Sequence, residues 1–188
     1  KTDITGDAPP LPAVGSLLQG KKVKEVLTWQ VRRDRMQTVC RQCHGQAFVN
    51  GAYAQFDGVV DLYDEKFAKP AKAIIAELKA RKLISEPDFD DPIEWTWYEI
   101  WHHQGRRARH GAAMQGPDYT WWHGMYEVAK EFYETFIPQL EQVAGKQLAR
   151  ELLDKYVYSQ PGHQWHRDGL GKDQIDKIRK FYEERYKQ

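Results

Sequence analysis

Both cysteines of this 188-residue chain fall in one stretch, Cys40-Arg41-Gln42-Cys43-His44. C-x-x-C-H is the spacing at which a c-type haem is attached. Two thiols three positions apart add to the two vinyl groups of one porphyrin, and the adjacent His44 then lies under the iron as its proximal ligand. Three other readings compete. A bare pair of exposed cysteines has no use for the histidine. A redox dithiol calls for a βαβ setting, which the sequence does not offer. A structural zinc site normally takes four protein ligands, and there is no second cysteine pair to complete one. Covalent haem c is therefore the expected cofactor, and the chain reads as a cytochrome c or a piece of one.

A second stretch, WTWYEIWHHQGRRARHGAAMQGPDYTWWHGMYE over residues 95–127, holds four of the seven histidines. Iron bound by one histidine keeps a sixth position, and a second histidine there makes a low-potential electron-transfer centre. His103 and His110 are seven apart and share a helix face, which places His103 ahead of His102. His123 completes the expected set of iron ligands with His44, His103 and His110. Arg106, Arg107 and Arg109 offer forked donors to haem propionates. A single helical histidine is more often a hydrogen-bonded packing residue. Several along aromatic helices imply more haems nearby than this chain can attach, so further haem c groups are expected on other polypeptide. His163 and His166, in the glycine-flanked PGHQWHRDG, read as surface histidines.

The elements that position these residues read as helices. Prolines and glycines fill residues 1–20, an expected extended arm. Residues 21–92 form the haem-binding segment: a helix over 23–39 running into the motif, a turn over 45–51, and a helix over 52–83. In that helix Phe56, Val59, Val60, Tyr63 and Phe67 recur at helical spacing, and Pro70 kinks or restarts it. The acidic SEPDFDDP loop ends with Asp90 or Asp91, followed by Pro92, capping a helix that runs from Ile93. Residues 93–188 form a long-helix tail, with helices over 93–114, 119–143 (bent near Pro138), 146–157 and 173–186. Period-2 alternation is nearly absent. The expected fold is all-α, of multihaem cytochrome c type, with little or no sheet. A net charge of +1 points to no nucleic-acid partner. No apolar run reaches the ~18 residues of a membrane span. Lys1-Thr2-Asp3 opens on polar residues, not on a signal peptide. Haem attachment to this motif takes place outside the cytoplasm, so the N-terminus is expected to be processed or cut.

The runs HHQGRRARHGAAMQGPDYTWWHGMYEVAK, VCRQCH and FDGVVDLYDEKFAKPA closely resemble the C-terminal part of the octahaem hydroxylamine oxidoreductase family, which includes the hydrazine dehydrogenases of anaerobic ammonium oxidisers. The similarity runs from about Trp29 to about Leu152. Members carry eight C-x-x-C-H motifs per subunit; this chain has one, so it looks like the eighth haem and the tail behind it, a C-terminal fragment or one half of a split subunit. The resemblance implies that Tyr119, in the GPDY run, is cross-linked to the catalytic haem of a neighbouring subunit, with Tyr126 as the competitor. It implies a homotrimer or a multiple of one, a small nitrogen substrate (hydroxylamine or hydrazine, with nitrite reduction a further option), and the remaining haem-bearing part of the enzyme as a partner. It also implies a redox partner cytochrome. The compartment would be the periplasm or another extracytoplasmic space, the anammoxosome lumen in an anaerobic ammonium oxidiser. The alternative is an electron-transfer cytochrome c subunit with no active site of its own, using His44 and one distal histidine.

Overall fold

Two prolines explain a recurrent feature of the helices. Pro70 and Pro138 each follow by two residues a turn of π-helix, Asp64–Ala68 and Phe132–Phe136. Proline lacks an N–H, and its ring collides with the carbonyl four residues back. The inserted residue of a π turn moves that carbonyl away. Lys69 N–H accordingly bonds Asp64 O, and Ile137 N–H bonds Phe132 O, each five residues back.

The structure, a computed structural model, describes residues 11–12 and 26–186. In chain order these are β1 (Leu11–Pro12), β2 (Val26–Leu27), α1 (Trp29–Cys40), α2 (Gln46–Tyr63), π1 (Asp64–Ala68), α3 (Lys69–Ala80), α4 (Pro92–Tyr98) and π2 (Glu99–Gln104). Then come α5 (Gly105–Ala113), π3 (Asp118–Tyr126), α6 (Glu127–Glu131), π4 (Phe132–Phe136), α7 (Ile137–Leu153), π5 (Asp154–Tyr158), α8 (Gln164–Asp168) and α9 (Lys172–Arg185). The fold is all-α. Its sheet, among the described residues, is one antiparallel pairing of Leu11 with Leu27 and Pro12 with Val26. The remainder of the expected N-terminal arm lies outside the described residues.

The chain divides into two compact units, residues 1–69 with 101–128 and residues 70–100 with 129–188. This differs from a linear division at 20 and 92, because α2 packs against α5, far along the sequence. The first unit buries Val49, Val59, Val60, Tyr63 and Phe67 from the α2–π1 face together with Ala108, Met125 and Val128. The expected turn over 45–51 is instead the start of α2. Gly45, with extended backbone, caps the helix, and Gly51 and Gly58 continue it facing open space. Arg33 of α1 grips Asp57 of α2 through two bonds of 2.7 and 2.8 Å, its guanidinium stacked over Trp29 and Tyr53. Such a planar fork fixes two helices more firmly than a point charge would.

The second unit packs Ile74, Leu78 and Ile93 with Phe132, Phe136, Leu140, Leu152 and Val157, all fully or almost fully buried. Asp91 caps α4 with Pro92 in its first turn, and Glu94 closes a capping box. Near Pro138, where an interruption or bend is expected, the α-helix gives way to the π turn π4, and Pro138 sits in the first turn of α7. Within α7 it is Gly145, at φ 75°, that departs from helical backbone. No residue of α9 is buried.

Candidate haem and histidine site

The cysteine motif continues the last turn of α1. Cys43 N–H and His44 N–H both bond Cys40 O, at 3.2 and 3.0 Å, so Cys40, Cys43 and His44 stand three and four positions apart on one helical face. Both thiols are free. His44 stacks on Phe48 at 4.6 Å, and its ring makes no hydrogen bond among the described residues. Beyond Phe48 lies a cleft of about 740 Å³, within the size range of small-molecule and cofactor sites. Ala47, Gly51, Ala52 and Gly58 leave one wall flat; Ala112, Pro117 and Trp121 make the other. No charged side chain lines it. The donor set fits a haem held by two thioethers, since two free sulfurs and a nitrogen lie on one helical face; none of the three lines the cleft, which Phe48 alone links to His44.

The opposite wall comes from α5 and π3, which meet through two glycines. A Cβ on Gly111 would lie 2.6 Å from Thr120 N, and one on Gly124 would lie 2.6 Å from Ala108 Cα. Only glycine lets these backbones touch. Between them α5 ends in a Schellman turn. Gly116 N–H bonds Gly111 O at 2.8 Å and Gln115 N–H bonds Ala112 O at 3.2 Å. The residue in left-handed conformation is Gln115, at φ 55°, not Gly116 as the GP pair implies. For a side chain other than glycine that conformation costs about 1 kcal/mol.

Three of the expected site residues share one string of contacts on this hairpin. Arg107 meets His103 on one side and Glu127 Oε2, at 2.6 Å, on the other. Glu127 Oε1 lies 3.2 Å from His123 Nδ1, and His123 packs against Tyr119 with ring centres 5.7 Å apart. Asp118 approaches His123 Nε2 at 3.6 Å. Tyr119 is 59% exposed, and Met114, Trp121, Trp122 and Tyr126 are similarly bare. His110 stands exposed on α5, its ring without a partner among the described residues. Of the arginines expected to meet propionates, Arg107 is engaged as above. Arg109 bonds Gly105 O at 3.1 Å and stacks over Tyr63, leaving Arg106 exposed. Glu127 and its role went unread in the sequence, although its i, i+4 spacing from His123 is a signal for such a pair.

In the second unit His163 is not a surface residue. It is 1% exposed, with Nδ1 2.6 Å from Tyr133 OH. His166 is half-buried, stacked on Tyr133 at 5.0 Å and bonded through Nδ1 to Tyr158 OH at 2.8 Å. Burial pushes the Tyr133 hydroxyl up to about 12, the neighbouring Tyr158 adding to the shift. The same burial lowers His166, with Glu141 opposing. The loop sequence hid this because its aromatic partners come from π4 and π5.

No family model, curated protein or solved structure matches the chain. Among the described residues no helix is long and apolar enough to cross a membrane.

Proposed function

We propose that this chain is part of a multihaem c-type oxidoreductase that oxidises hydroxylamine or hydrazine. It would contribute one covalent haem, distal haem ligands and a tyrosine joined to a neighbouring subunit's catalytic haem. The observation that carries the reading is the motif turn that sets Cys40, Cys43 and His44 on one helical face, both thiols free and His44 stacked on Phe48. A bound haem supplies one-electron acceptance, with its potential set by the axial ligands.

The chain's own residues divide the work. Cys40 and Cys43 would hold the porphyrin through thioethers and His44 would supply a nitrogen ligand to its iron. His123 has Nδ1 turned to Glu127, which leaves Nε2 as the ligand atom once Asp118, itself exposed, moves aside. A carboxylate behind a ligating imidazole fixes its tautomer and orientation. His103 and His110 would serve haems on the remaining haem-bearing part of the enzyme. Tyr119, exposed at the start of π3, would reach a neighbouring subunit in a trimer or a multiple of one. A redox partner cytochrome would take the electrons, in the periplasm or another extracytoplasmic compartment.

The single thioether motif favours the second reading, an electron-transfer cytochrome subunit without an active site. The mass of the Tyr119 peptide from active native enzyme separates the two. The enzyme reading expects a peptide carrying a haem adduct. An unmodified peptide would leave the electron-transfer reading, with Tyr126 to be examined in the same digest.

A further inference from the structure

His44 ends the cysteine motif and is also the residue before a helix cap. Gly45, with extended backbone at ψ 154°, caps α2, and Val49 N–H closes the first helical bond to Gly45 O at 3.2 Å. The extended cap turns the preceding residue back over the start of the helix. A side chain in that position often packs against one at the end of the first turn, which fixes the angle at which the chain enters the helix. Here the packed pair is His44 and Phe48, with ring centres 4.6 Å apart and planes within 20° of parallel. Burial does not explain Phe48. Its neighbour Val49 points into the core, whereas Phe48 is 53% exposed, its ring face to face with the imidazole. The residue stapled to the helix start is thus the motif's own iron ligand.

We propose that Phe48 is a positioning residue for the axial ligand, holding the plane of the His44 imidazole when that ring binds haem iron. This rests on the haem-bearing reading above. A ligating histidine is usually oriented by a hydrogen bond from its second ring nitrogen. The ring of His44 makes no such bond to a described residue, and the face of Phe48 takes over the task. Face-to-face stacking opposes rotation about the Cβ–Cγ bond, because rotation lifts the imidazole off the phenyl ring. It leaves the nitrogens, which lie at the imidazole edge, open to a metal. The plane of an axial imidazole decides how two of the iron d orbitals split and so sets the g-values of low-spin ferric haem, the axial ligand being one of the protein's levers on haem electronics.

The test compares wild type with Phe48→Leu and Phe48→Tyr in the native haem-loaded assembly. It reads covalent haem content by mass and the low-spin ferric signals by electron paramagnetic resonance, as differences from wild type. Leucine keeps an apolar side chain but offers no ring face; tyrosine keeps the face. All three proteins should carry the haem in equal amount. Phe48→Leu should shift and broaden the g-values of one haem, and Phe48→Tyr should return them to the wild-type position and width. Unchanged signals in Phe48→Leu overturn the proposal and leave the haem reading intact, as does a Phe48→Tyr spectrum altered as much as that of Phe48→Leu. Haem missing from Phe48→Leu would assign Phe48 to attachment rather than to ligand orientation, and also overturns it. A wild-type chain without covalent haem overturns both readings.

Discussion

His123 Nδ1 lies 3.2 Å from Glu127 Oε1, while the other oxygen of that carboxylate takes Arg107 at 2.6 Å. One side chain thus sets the direction of an exposed imidazole and anchors it to the facing helix. Without Glu127, the ring of His123 would be free to rotate and Arg107 would lose its carboxylate.

Glu127→Ala is expected to lower the affinity or order of distal ligation at His123, since loss of such an orienting partner typically costs about 10-fold to 100-fold in metal sites. Low-spin ferric signals in electron paramagnetic resonance report this directly. Glu127→Gln, which keeps an oxygen for His123, should fall between the two. A Glu127→Ala spectrum identical to wild type would mean that His123 is not a ligand oriented in this way.

The contact of α5 with π3 depends on two missing side chains. Gly111→Ala and Gly124→Ala each force a methyl to within 2.6 Å of facing backbone. Each should destabilise the first unit by roughly 1–3 kcal/mol, the usual cost of overpacking, with Tyr119 and Thr120 displaced. Gly51→Ala and Gly58→Ala meet open space, both on the wall of the cleft, and in the chain without haem should instead hold or raise stability, because alanine is the better helix former. Denaturant unfolding of the four variants distinguishes tight from open glycines.

Stability should fall in two steps on acidification. His166 is held below its ordinary 6.5 by burial, so just below that pH the unfolded chain binds a proton that the folded one refuses. Stability is full above about 6.5 and is lost as pH falls toward the lowered folded value. Glu77 is held down at about 2 by hydrogen bonds from Lys155, Tyr156 and Arg81. Its contribution is present above the ordinary 4.5 and disappears between there and about 2. His166→Gln should flatten the first step alone and Glu77→Gln the second, as read by unfolding across pH.

Much of the helical framework was legible because apolar spacing survives local irregularity: Val59, Val60, Tyr63 and Phe67 are buried, as their recurrence implies. The Asp91-Pro92 cap was legible for a local chemical reason. The π turns were not, since one inserted residue rotates the following face without changing composition; only π1 and π4 leave a trace in the sequence, the proline two residues later. The haem motif, His103 and His123 were picked out by residue type and spacing, and Tyr119 by the family resemblance alone; the structure adds the contacts running through Arg107 and Glu127. The burial of His163 was illegible because its surroundings, Phe132 and Tyr133, lie 30 or so positions away and a glycine-flanked loop has no period to read. The two-unit division is illegible for the same reason: it rests on the packing of α2 with α5, which lie far apart in sequence.

The central claim is that Cys40 and Cys43 carry a haem within a larger multihaem enzyme. Intact mass of the native chain under denaturing conditions tests it most directly. The account predicts a polypeptide heavier by one covalent haem, with further haem-bearing polypeptide attached through the tyrosine cross-link. A chain recovered at its unmodified polypeptide mass would contradict it.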